Sequence, residues 1–455
     1  MTGNTSRRFF LGALTAAAAT RVWGANDKIN VAIVGLGGRG SSHLNIYSHM
    51  PDVNVAGLCD VDQSSLERAQ ATLLKNTGGK AKEFKDMRDL FAEQGVEAVS
   101  IATPNHWHAL AAIWAMKAGK DVYGEKPACY NIYEGQRMIQ VARESGRVMQ
   151  VGSQHRSTPF KMRAIQAMHD GLIGDIYLAK GLCFKRRASI GHAENEPTPA
   201  GVDWDMFLGP APMRPFNKLR FKYNWHWFWD TGNGDIGNQG VHEMGICRWA
   251  LKDPQWPKTA FAQGGKYAYT DDQETPNTLL ADYNYGNREI VFEVRGLLTG
   301  GEGIPGPKRS GAPAAGAVAP PESPAPTTTV PHTGKPLNIL VGDLFYGTEG
   351  WAAMSDAGFQ AFKGESNEVV MEELPEKGDA TALHMQNFLA ACRSRNSKEL
   401  HDGIENAVQS ANLCHLANIS YRVGRKLTLD NGPKFVNDQA AEKLLTREYR
   451  KPYTV

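Results

Sequence analysis

The sequence has few cysteines and no arrangement of them that would cross-link a fold or bind a metal. Six cysteines are scattered through 455 residues, with no Cys-x-x-Cys pair and no Cys/His cluster. A chain of this length can bury a large core without disulfides, and structural zinc sites need closely spaced ligands. We therefore expect buried free thiols and no metal site. The cysteines are Cys59, Cys129, Cys183, Cys247, Cys392 and Cys414.

The chain also lacks an excess of charge of either sign. It carries 50 Lys and Arg against 48 Asp and Glu, a formal net charge of +2. This balance cannot supply the basic surface on which nucleic-acid binding depends, so a small molecule is the expected partner. With 42% hydrophobic residues, the composition is that of a globular protein. The length allows about two or three domains.

The N-terminal apolar run, Phe9 to Ala19, is too short to cross a membrane, because a permanent spanning helix needs roughly 18 or more apolar residues. Residues 1–25 instead have the features of an export signal. Arg7 and Arg8 precede the Ala-rich run, and small residues stand near Gly24. The segment resembles a twin-arginine signal, which implies export to the periplasm of an already folded protein, often with its cofactor inside.

From Lys28 the chain alternates short apolar runs with segments of helical length. This pattern is typical of parallel strands joined by right-handed crossovers, and it predicts a doubly wound Rossmann sheet over residues 28–150. The predicted strands are Asn30–Leu36, Val53–Cys59, Ala98–Thr103, Asp121–Tyr123 and Val148–Gly152, with helices that include Trp107–Ala118 and Tyr133–Glu144.

Beyond residue 150 the apolar runs become longer and alternate with polar residues, which suits one broad sheet with a covered face. We therefore expect residues 151–455 to form a second α/β domain. Within it, residues 299–336 are rich in Gly, Pro, Ala, Ser and Thr, a composition that predicts a disordered surface insertion. The alternating runs are Ile176–Phe184, Thr278–Tyr283 and Glu289–Leu297, and helical spacing appears in 384–393 and 404–422.

A glycine-rich motif, Gly-Leu-Gly-Gly-Arg-Gly, follows the first predicted strand. In such a motif the first glycine permits a tight turn, the second lets a pyrophosphate approach the backbone, and the third lets helix and strand pack closely. Asp60 closes the next strand, where its carboxylate can bind ribose hydroxyls and repel a 2′-phosphate. The pattern predicts binding of NAD, with NADP less favoured. The predicted residues are Gly35, Leu36, Gly37, Gly38, Arg39, Gly40 and Asp60.

Two further loops follow the carboxyl ends of predicted strands. One runs from Ala102 to His108, and the other is the triplet Glu125-Lys126-Pro127. Open α/β sheets bind their ligands at this edge, so we expect both loops to line the cofactor and to face the nicotinamide. The residues assigned to the cofactor here are Thr103, Asn105, His108, Glu125 and Lys126.

Taken together, these features resemble the glucose-fructose oxidoreductase and inositol 2-dehydrogenase family, Gfo/Idh/MocA. The segment 232–242, Gly-Asn-Gly-Asp-Ile-Gly-Asn-Gln-Gly-Val-His, is similar to the family's second-domain motif. The resemblance implies a Rossmann domain followed by an α/β domain with a large, open, mostly antiparallel sheet. It also implies a homo-oligomer, a dimer or a tetramer.

The family places a catalytic lysine in the Glu-Lys-Pro triplet and a catalytic Asp-x-x-x-His pair in the second domain. The lysine is Lys126 here, but the pair consists of Asn238 and His242. An amide therefore stands where a carboxylate would stabilise an imidazolium. Asp235 lies nearby at the wrong offset, and Gly245 stands where family members commonly carry an aspartate.

Oxidation of a secondary alcohol needs a hydride acceptor at the carbinol carbon and a base at its hydroxyl. We assign His242 as the base and Lys126 as the partner that stabilises the developing alkoxide. The two roles can be exchanged, because burial would lower the pKa of Lys126 and allow it to act as the base.

An unusually aromatic segment, Tyr-Asn-Trp-His-Trp-Phe-Trp-Asp at 223–230, leads into the second-domain motif. Indole rings stack on the apolar face of sugars, so Trp225, His226 and Trp229 are expected to bind a carbohydrate. A hydrophobic core strand or an oligomer contact is the alternative. Other residues expected at the substrate are Gln154, His155 and Arg156, which follow the last Rossmann strand, together with Asp235.

Three functions stay open. The first is an NAD(P)-dependent oxidoreductase that acts on a secondary hydroxyl of a sugar or glycoside with a tightly bound, internally recycled cofactor, because free NAD is scarce outside the cytoplasm. The second is an NAD-dependent glycoside hydrolase or lyase that works through a transient 3-keto intermediate. The third is a non-catalytic binding protein that contains the cofactor, in which Asn238 marks lost activity.

Overall fold

The computed structural model describes residues 28–303 and 337–455. The predicted export signal, residues 1–25, lies outside the described residues, and so do residues 304–336 of the predicted insertion. The flanks of that insertion are described, and Glu302 and Ile339 pair there in an isolated antiparallel bridge. The two ends of the segment therefore meet at one place on the second domain.

The first sheet has six parallel strands. Its elements are β1 (Ile29–Val34), α1 (Gly38–Ser48), β2 (Val53–Cys59), α2 (Gln63–Thr77), β3 (Lys82–Phe84), α3 (Met87–Ala92), β4 (Ala98–Ile101), α4 (Asn105–Lys117), β5 (Asp121–Gly124), α5 (Ile132–Ser145) and β6 (Met149–Val151). The strand order is β3-β2-β1-β4-β5-β6. The order reverses between β1 and β4, which is the point at which such sheets bind ligands.

Strand β1 is apolar throughout because both of its faces are covered. Val31 and Ile33 belong to a core built with α1 and α2, whereas Ala32 and Val34 belong to a core built with α4. Strands buried on both faces lose the alternation of polar and apolar residues, which is why the sequence pattern predicts this sheet correctly. The pattern misses β3, a strand of three residues at the sheet edge.

The second sheet has nine strands and contains the remaining strands of the described chain. Its elements are α6 (Pro159–His169), β7 (Ile176–Cys183), α7 (Trp204–Leu208), α8 (Gly234–Asn238), α9 (Gly240–Ala250), β8 (Thr259–Gly265), β9 (Thr278–Asn284), β10 (Glu289–Arg295), β11 (Val341–Gly347), β12 (Gly350–Ser355), β13 (Gly358–Lys363), β14 (Glu368–Glu373), α10 (Ala380–Ser394), α11 (Ile404–Val423), β15 (Leu427–Thr428) and α12 (Gln439–Glu442). The described chain also contains four short 3-10 turns, at Gln154–Ser157, Lys218–Arg220, Asn224–Trp227 and Ser397–Glu399.

This second sheet is mixed and mostly antiparallel, as predicted. Its order is β14-β13-β12-β11-β7-β10-β9-β8-β15, and β10 pairs with β7 in parallel. Along β10 the side chains of Ile290, Phe292 and Val294 are buried, whereas the residues between them are half-buried. Helices α9 and α11 cover the buried face, so the opposite face is the open one.

The two C-terminal helices α10 and α11 join the domains. Met385 and Phe388 of α10 belong to a core of the first sheet. On α11, Val408 packs in the core of the first domain and Leu413 in the core of the second. The first sheet is therefore completed by residues that lie more than two hundred positions away along the chain.

All six cysteines are buried and unpaired, as their spacing predicts. Within residues 28–303 and 337–455, no group of three or more His, Cys, Asp or Glu side chains is arranged to hold a metal ion. No helix in the same ranges is long and apolar enough to traverse a lipid bilayer.

Candidate active site

A cavity of about 660 Å³ runs along the carboxyl ends of β1, β2, β4 and β5. The second domain closes it with side chains between Met206 and Asn238. Most residues predicted to bind the cofactor line this cavity: Gly35, Leu36, Gly37, Gly38, Arg39, Asp60, Thr103, Asn105, His108, Glu125 and Lys126. Gly40 lies behind the loop, because a Cβ there would collide with the main-chain oxygen of Gly35.

The glycine-rich loop forms an open cradle at the start of α1. Gly35 has φ of +83°, and a Cβ there would lie 2.7 Å from the Ala102 oxygen. Gly37 and Gly38 have nothing within 4 Å of the Cβ position, and no side chain in the described ranges caps the first N–H groups of α1. A helix start with free N–H groups and open space beside glycines fits a pyrophosphate, so the residues present match an NAD site.

Asp60 ties the end of β2 to this loop. Its Oδ2 accepts a hydrogen bond from the Leu36 N–H at 2.6 Å, and Oδ1 accepts one from the Asp62 N–H at 2.9 Å. Burial raises the pKa of Asp60, although these main-chain donors oppose the shift. Each carboxylate oxygen can accept more than one bond, so Asp60 keeps acceptor capacity for ribose hydroxyls.

A strap from the second domain, residues 201–211, crosses the Asp60 end of the cavity. Its backbone bonds directly to the Rossmann domain: the Gln63 N–H donates to the Gly201 oxygen at 3.0 Å, and the Asp203 N–H donates to the Val61 oxygen at 2.9 Å. The indole of Trp107 donates to the Met206 oxygen at 3.0 Å. The strap, which includes α7, is therefore hydrogen-bonded to the Rossmann domain beside the cavity.

Lys126 meets the second domain at the other end of the cavity. Its Nζ donates to the main-chain oxygen of Asn238 at 2.6 Å and lies 3.3 Å from Oδ1 of the same residue. Burial lowers the pKa of Lys126, while the neighbouring Glu125 carboxylate opposes this change. An ammonium of lowered pKa is suited to exchange a proton or to polarise an oxygen.

The Glu125 carboxylate is hydrogen-bonded to two side chains of α1. Its Oε1 lies 2.7 Å from Arg39 Nε and 3.0 Å from His43 Nε2. Burial opposes ionisation, but the Arg39 guanidinium and the His43 imidazole hold the pKa of Glu125 well below its usual range. Its carboxylate therefore anchors the lysine loop to α1. Sequence reasoning did not identify His43, because nothing local links α1 to a loop more than eighty residues later.

Asn238 connects Lys126 to a buried ion pair. Its Nδ2 lies 3.3 Å from Asp235 Oδ1 and 3.4 Å from the Tyr223 hydroxyl. Asp235 is held by two bonds from Arg187, at 2.6 and 2.9 Å. Asp235 does not line the cavity, and its carboxylate is engaged by Arg187 and by the Asn238 amide, so its contact with the substrate stays a prediction.

His242 lies on α9, four residues beyond Asn238; it is 8% exposed and is not among the residues that line the cavity. No hydrogen bond to its ring nitrogens is found in the described part of the chain. Burial lowers the pKa of His242 well below its ordinary value, and the charges of His155 and Lys126 act in the same direction. The imidazole is therefore neutral near pH 7.

The aromatic segment divides between the cavity and the protein interior. Tyr223, Trp225 and His226 line the cavity, and the rings of Trp225 and His226 stack with centroids 3.6 Å apart. Trp229 points elsewhere, with the Arg422 guanidinium 5.4 Å from its ring centroid. Trp229 does not line the cavity, and its assignment to the substrate stays a prediction. Tyr223, which sequence reasoning did not select, lies in the cavity instead.

In the 3-10 turn after β6, the side chains of neighbouring residues point in different directions. Arg156 does not line the cavity: its Nη2 donates to Asp253 at 2.6 Å and to the Gly245 oxygen at 3.0 Å, and its assignment to the substrate stays a prediction. Gln154 lies outside the cavity lining, and its Oε1 is buried with no partner in the described ranges. Because successive residues of a 3-10 turn point about 120° apart, His155 rather than Arg156 reaches His242.

Comparison with known proteins finds relatives of both domains. The family profile described as "Oxidoreductase family, NAD-binding Rossmann fold" matches residues 29–153. Its companion, described as "Oxidoreductase family, C-terminal alpha/beta domain", matches residues 179–291 and 355–455. The two matches together cover well over half of the chain.

Curated relatives match over shorter stretches. A glycosyl hydrolase family 109 protein of Saccharopolyspora erythraea is 24% identical over 217 residues, which are 47% of this chain and 42% of the relative. An inositol 2-dehydrogenase of Salmonella agona is 32% identical over 155 residues, 34% of this chain and 45% of the relative. The chain thus spans less than half the length of these relatives.

Solved structures share the fold at low identity. The WlbA dehydrogenase from Bordetella pertussis, in complex with NADH and UDP-GlcNAcA, has a TM-score of 0.60 at 19% identity and covers 88% of this chain and 99% of its own. GenD2 from gentamicin A biosynthesis, in complex with NAD, has a TM-score of 0.60 at 18% identity and covers 90% and 99%.

Proposed function

Since the chain belongs to the Gfo/Idh/MocA oxidoreductase family, we propose that it oxidises a secondary hydroxyl of a sugar or glycoside. The NAD stays bound between turnovers and is recycled in place. The observation that carries this proposal is the shared cavity: the glycine cradle, the Lys126 ammonium and the Trp225–His226 stack all face one space.

The proposed role of each residue follows from its position in the site. Gly37 and Gly38 hold the pyrophosphate at the start of α1, and Asp60 binds the adenosine ribose. When bound, NAD⁺ supplies the hydride acceptor. Lys126 donates a hydrogen bond to the substrate oxygen and stabilises its negative charge, and neutral His242 takes the hydroxyl proton. Either group can serve as the base, since burial favours the neutral form of both.

The aromatic side chains that line the cavity support a carbohydrate as the substrate. Trp225, His226 and Tyr223 present aromatic faces and polar tips to the cavity, which suits a ring with one apolar face and several hydroxyls. Burial lowers the pKa of His226 to about 3, so this histidine is neutral and adds no charge to the wall.

Retention of the cofactor is supported by the 201–211 strap. Its hydrogen bonds to Gln63, Val61 and Trp107 must break before a dinucleotide beneath it can leave. A held cofactor suits a protein that works where free NAD is scarce. We therefore also propose export by the twin-arginine route, with Arg7 and Arg8 as the signal. Cell fractionation tests it: a protein with both arginines changed to lysine should stay in the cytoplasm.

A second function is favoured by the glycosyl hydrolase family 109 relatives. Oxidation at C3 of a glycoside acidifies the proton at C2, a base removes that proton, and the substituent at C1 leaves. Water then adds, and the hydride returns to C3, so no net redox change results. In this scheme Lys126 and His242 divide the proton transfers.

One experiment separates these functions. The purified protein is denatured to release and identify its nicotinamide, and the native protein is incubated in deuterated water with nitrophenyl glycosides and free sugars. Paired ketone and alcohol products support the oxidoreductase. Nitrophenol release with deuterium at C2 and no net NADH supports the glycosidase. Bound NAD with neither product indicates a non-catalytic binder. A Lys126→Ala variant should keep its NAD and lose both activities.

The open face of the second sheet is the proposed oligomer interface. Leu280 on β9 and Val291 on β10 lie on this face, and Leu280 is 40% exposed. Leu280 is the exposed apolar side chain on which this proposal rests, and Glu293 and Asp282 are charged neighbours on the same face of the sheet. Light scattering should report a dimer or tetramer, and Leu280→Arg should shift it toward the monomer.

A further inference from the structure

The hydroxyl of Tyr223 lies beside the Asn238 amide and has only donors for neighbours. It accepts a hydrogen bond from Arg187 Nη1 at 3.1 Å, and Asn238 Nδ2 lies 3.4 Å from it. Asn238 presents Nδ2 on this side because its Oδ1 faces the Lys126 ammonium, which can only donate. The proton of the Tyr223 hydroxyl is therefore left without an acceptor among the described residues.

The imidazole of His226 is fixed in the complementary way. Burial lowers the pKa of His226 to about 3, so the ring is neutral and carries one proton. Its Nδ1 lies 2.5 Å from the main-chain oxygen of Tyr223, and since a carbonyl can only accept, Nδ1 holds that proton. Nε2 therefore has a free lone pair, and nothing in the described part of the chain donates to it. His108, the other histidine of the cavity lining, has both nitrogens at main-chain oxygens.

The two groups belong to one wall of the cavity. His226 lies three positions after Tyr223, and about three residues make one turn of a 3-10 helix, so both side chains lie on the same side of the Asn224–Trp227 turn. Their ring centroids are 4.7 Å apart, and both residues line the cavity together with Lys126. The wall thus offers one hydrogen-bond donor and one acceptor side by side.

We propose that Tyr223 and His226 select a substrate with two free hydroxyls on adjacent carbons. Tyr223 donates to the oxygen that is oxidised, and His226 accepts from the hydroxyl on the neighbouring carbon. The inference rests on the proposed function and narrows its substrate to a vicinal diol. Both residues act by hydrogen bonding, and neither gives up or gains a proton.

The assignment of Tyr223 to the reacting oxygen follows from Lys126. The Tyr223 hydroxyl and the Lys126 ammonium lie at the two polar atoms of the same Asn238 amide, so one substrate oxygen in the cavity can meet both. Negative charge that develops on this oxygen is then stabilised by two donors.

The surrounding charges favour a neutral neighbouring group over an acidic one. Arg187 is paired with Asp235 through bonds of 2.6 and 2.9 Å, so its charge is already compensated. A substrate carboxylate at His226 would have no proton to donate and would face the Nε2 lone pair. A deoxy position or an ether there would leave Nε2 without a partner, which costs binding free energy.

The first test uses the holoenzyme and the nitrophenyl glycoside that reduces its bound NAD fastest, with the deoxy analogues at both carbons next to the oxidised one. In the wild type, kcat/KM for cofactor reduction should fall by about tenfold or more with one of these analogues. In His226→Phe, which keeps an aromatic ring on Trp225, the parent glycoside and that analogue should react at similar rates. Electronic effects of the missing hydroxyl are the same in both proteins and cancel in this comparison.

The second test removes the Tyr223 hydroxyl. Tyr223→Phe should lower kcat for cofactor reduction by about tenfold and leave the NAD content and the melting temperature near wild type. Tyr267→Phe is the matched control, because Tyr267 and Tyr223 are both 52% exposed and Tyr267 does not line the cavity. Equal kcat values in Tyr223→Phe, Tyr267→Phe and wild type would remove Tyr223 from the reacting oxygen.

Nitrogen NMR of protein with labelled histidine checks the tautomer without turnover. The His226 signals, identified by their loss in His226→Phe, should show an unprotonated Nε2. A protonated Nε2, or the same loss of rate with the deoxy analogue in wild type and His226→Phe, would overturn the diol selection while the proposed function stood. A protein that oxidises no glycoside would overturn both. If His226→Phe melts early, the wild type decides, since full rates with every deoxy analogue contradict the proposal.

Discussion

Lys126 of the cofactor loop donates to the main-chain oxygen of Asn238 at 2.6 Å, and this bond joins the two domains at the reacting end of the cavity. The acceptor is a carbonyl that every residue type offers, so the contact survives the replacement of the family's aspartate by asparagine. What changes is the charge beside the ammonium. An amide leaves Glu125 as the carboxylate that opposes the lowered pKa of Lys126 most strongly.

Restoring the carboxylate should therefore change the acid–base behaviour of the lysine. In Asn238→Asp the new negative charge favours the ammonium and raises the pKa of Lys126. The limb of the pH–rate profile that reports Lys126 should move to higher pH by about one unit or more. Asn238→Ala, which removes the amide without adding charge, should leave that limb near its wild-type position. Identical profiles in all three proteins would exclude Lys126 as a titrating group.

Asp60→Ala should weaken the discrimination against NADP. The carboxylate that repels a 2′-phosphate is lost, and the Leu36 N–H loses its acceptor, so NAD binding should fall while NADP binding rises. The ratio of the two dissociation constants is the quantity to measure. Asp438→Ala serves as the control, because Asp438 caps α12, does not line the cavity, and its loss should cost about 1 kcal/mol of stability without altering that ratio.

Gly209→Ala should release the cofactor faster. Gly209 has φ of +47°, and a Cβ there would collide with the Trp107 ring, so the strap must lift from the Rossmann domain. The dissociation rate of NAD should rise by about tenfold or more if the strap retains it. Gly191→Ala tests strain alone, since Gly191 has φ of +70° and no atom within 4 Å of the Cβ position. Equal NAD dissociation rates in both variants and in wild type would refute retention by the strap.

Glu243→Gln should stabilise the protein in alkaline solution. Burial raises the pKa of this carboxyl from 4.5 to about 8 in the folded state, so the folded protein binds the extra proton. Stability from this group is complete below pH 4.5 and is lost as the pH rises toward 8. Glutamine avoids that loss. The melting temperature of the variant should match wild type near pH 5 and exceed it near pH 9, and a constant difference at every pH would contradict the assignment.

Much of the fold follows from local patterns. Strand β1 and the loop after it could be predicted because an apolar run buried on both faces and a glycine spacing are properties of a few consecutive residues. The alternation of buried and half-buried residues along β10 could be predicted for the same reason, because it too is a property of consecutive residues. The edge strand β3 was missed because three residues carry too little pattern to distinguish a strand from a loop.

The substrate side was harder to predict. Trp225 and Trp229 lie four residues apart in the same aromatic run, and only the packing of α11 decides that Trp229 meets Arg422 while Trp225 reaches the cavity. Arg156 and His155 are neighbours whose directions depend on a 3-10 turn. Composition and spacing cannot separate such pairs, because both members carry the same local signal.

The amino-acid sequence by itself determined the Rossmann domain, the glycine cradle and the positions of Lys126 and His242, since each depends on short-range spacing and on where a strand ends. The tertiary structure alone decided which groups surround them. Packing brings together His155 from a 3-10 turn, Lys161 from α6 and Asp356 from the turn between β12 and β13. The Asp235 carboxylate pairs with Arg187. These contacts arise from packing between residues that lie far apart in the sequence, so no local sequence pattern indicates them.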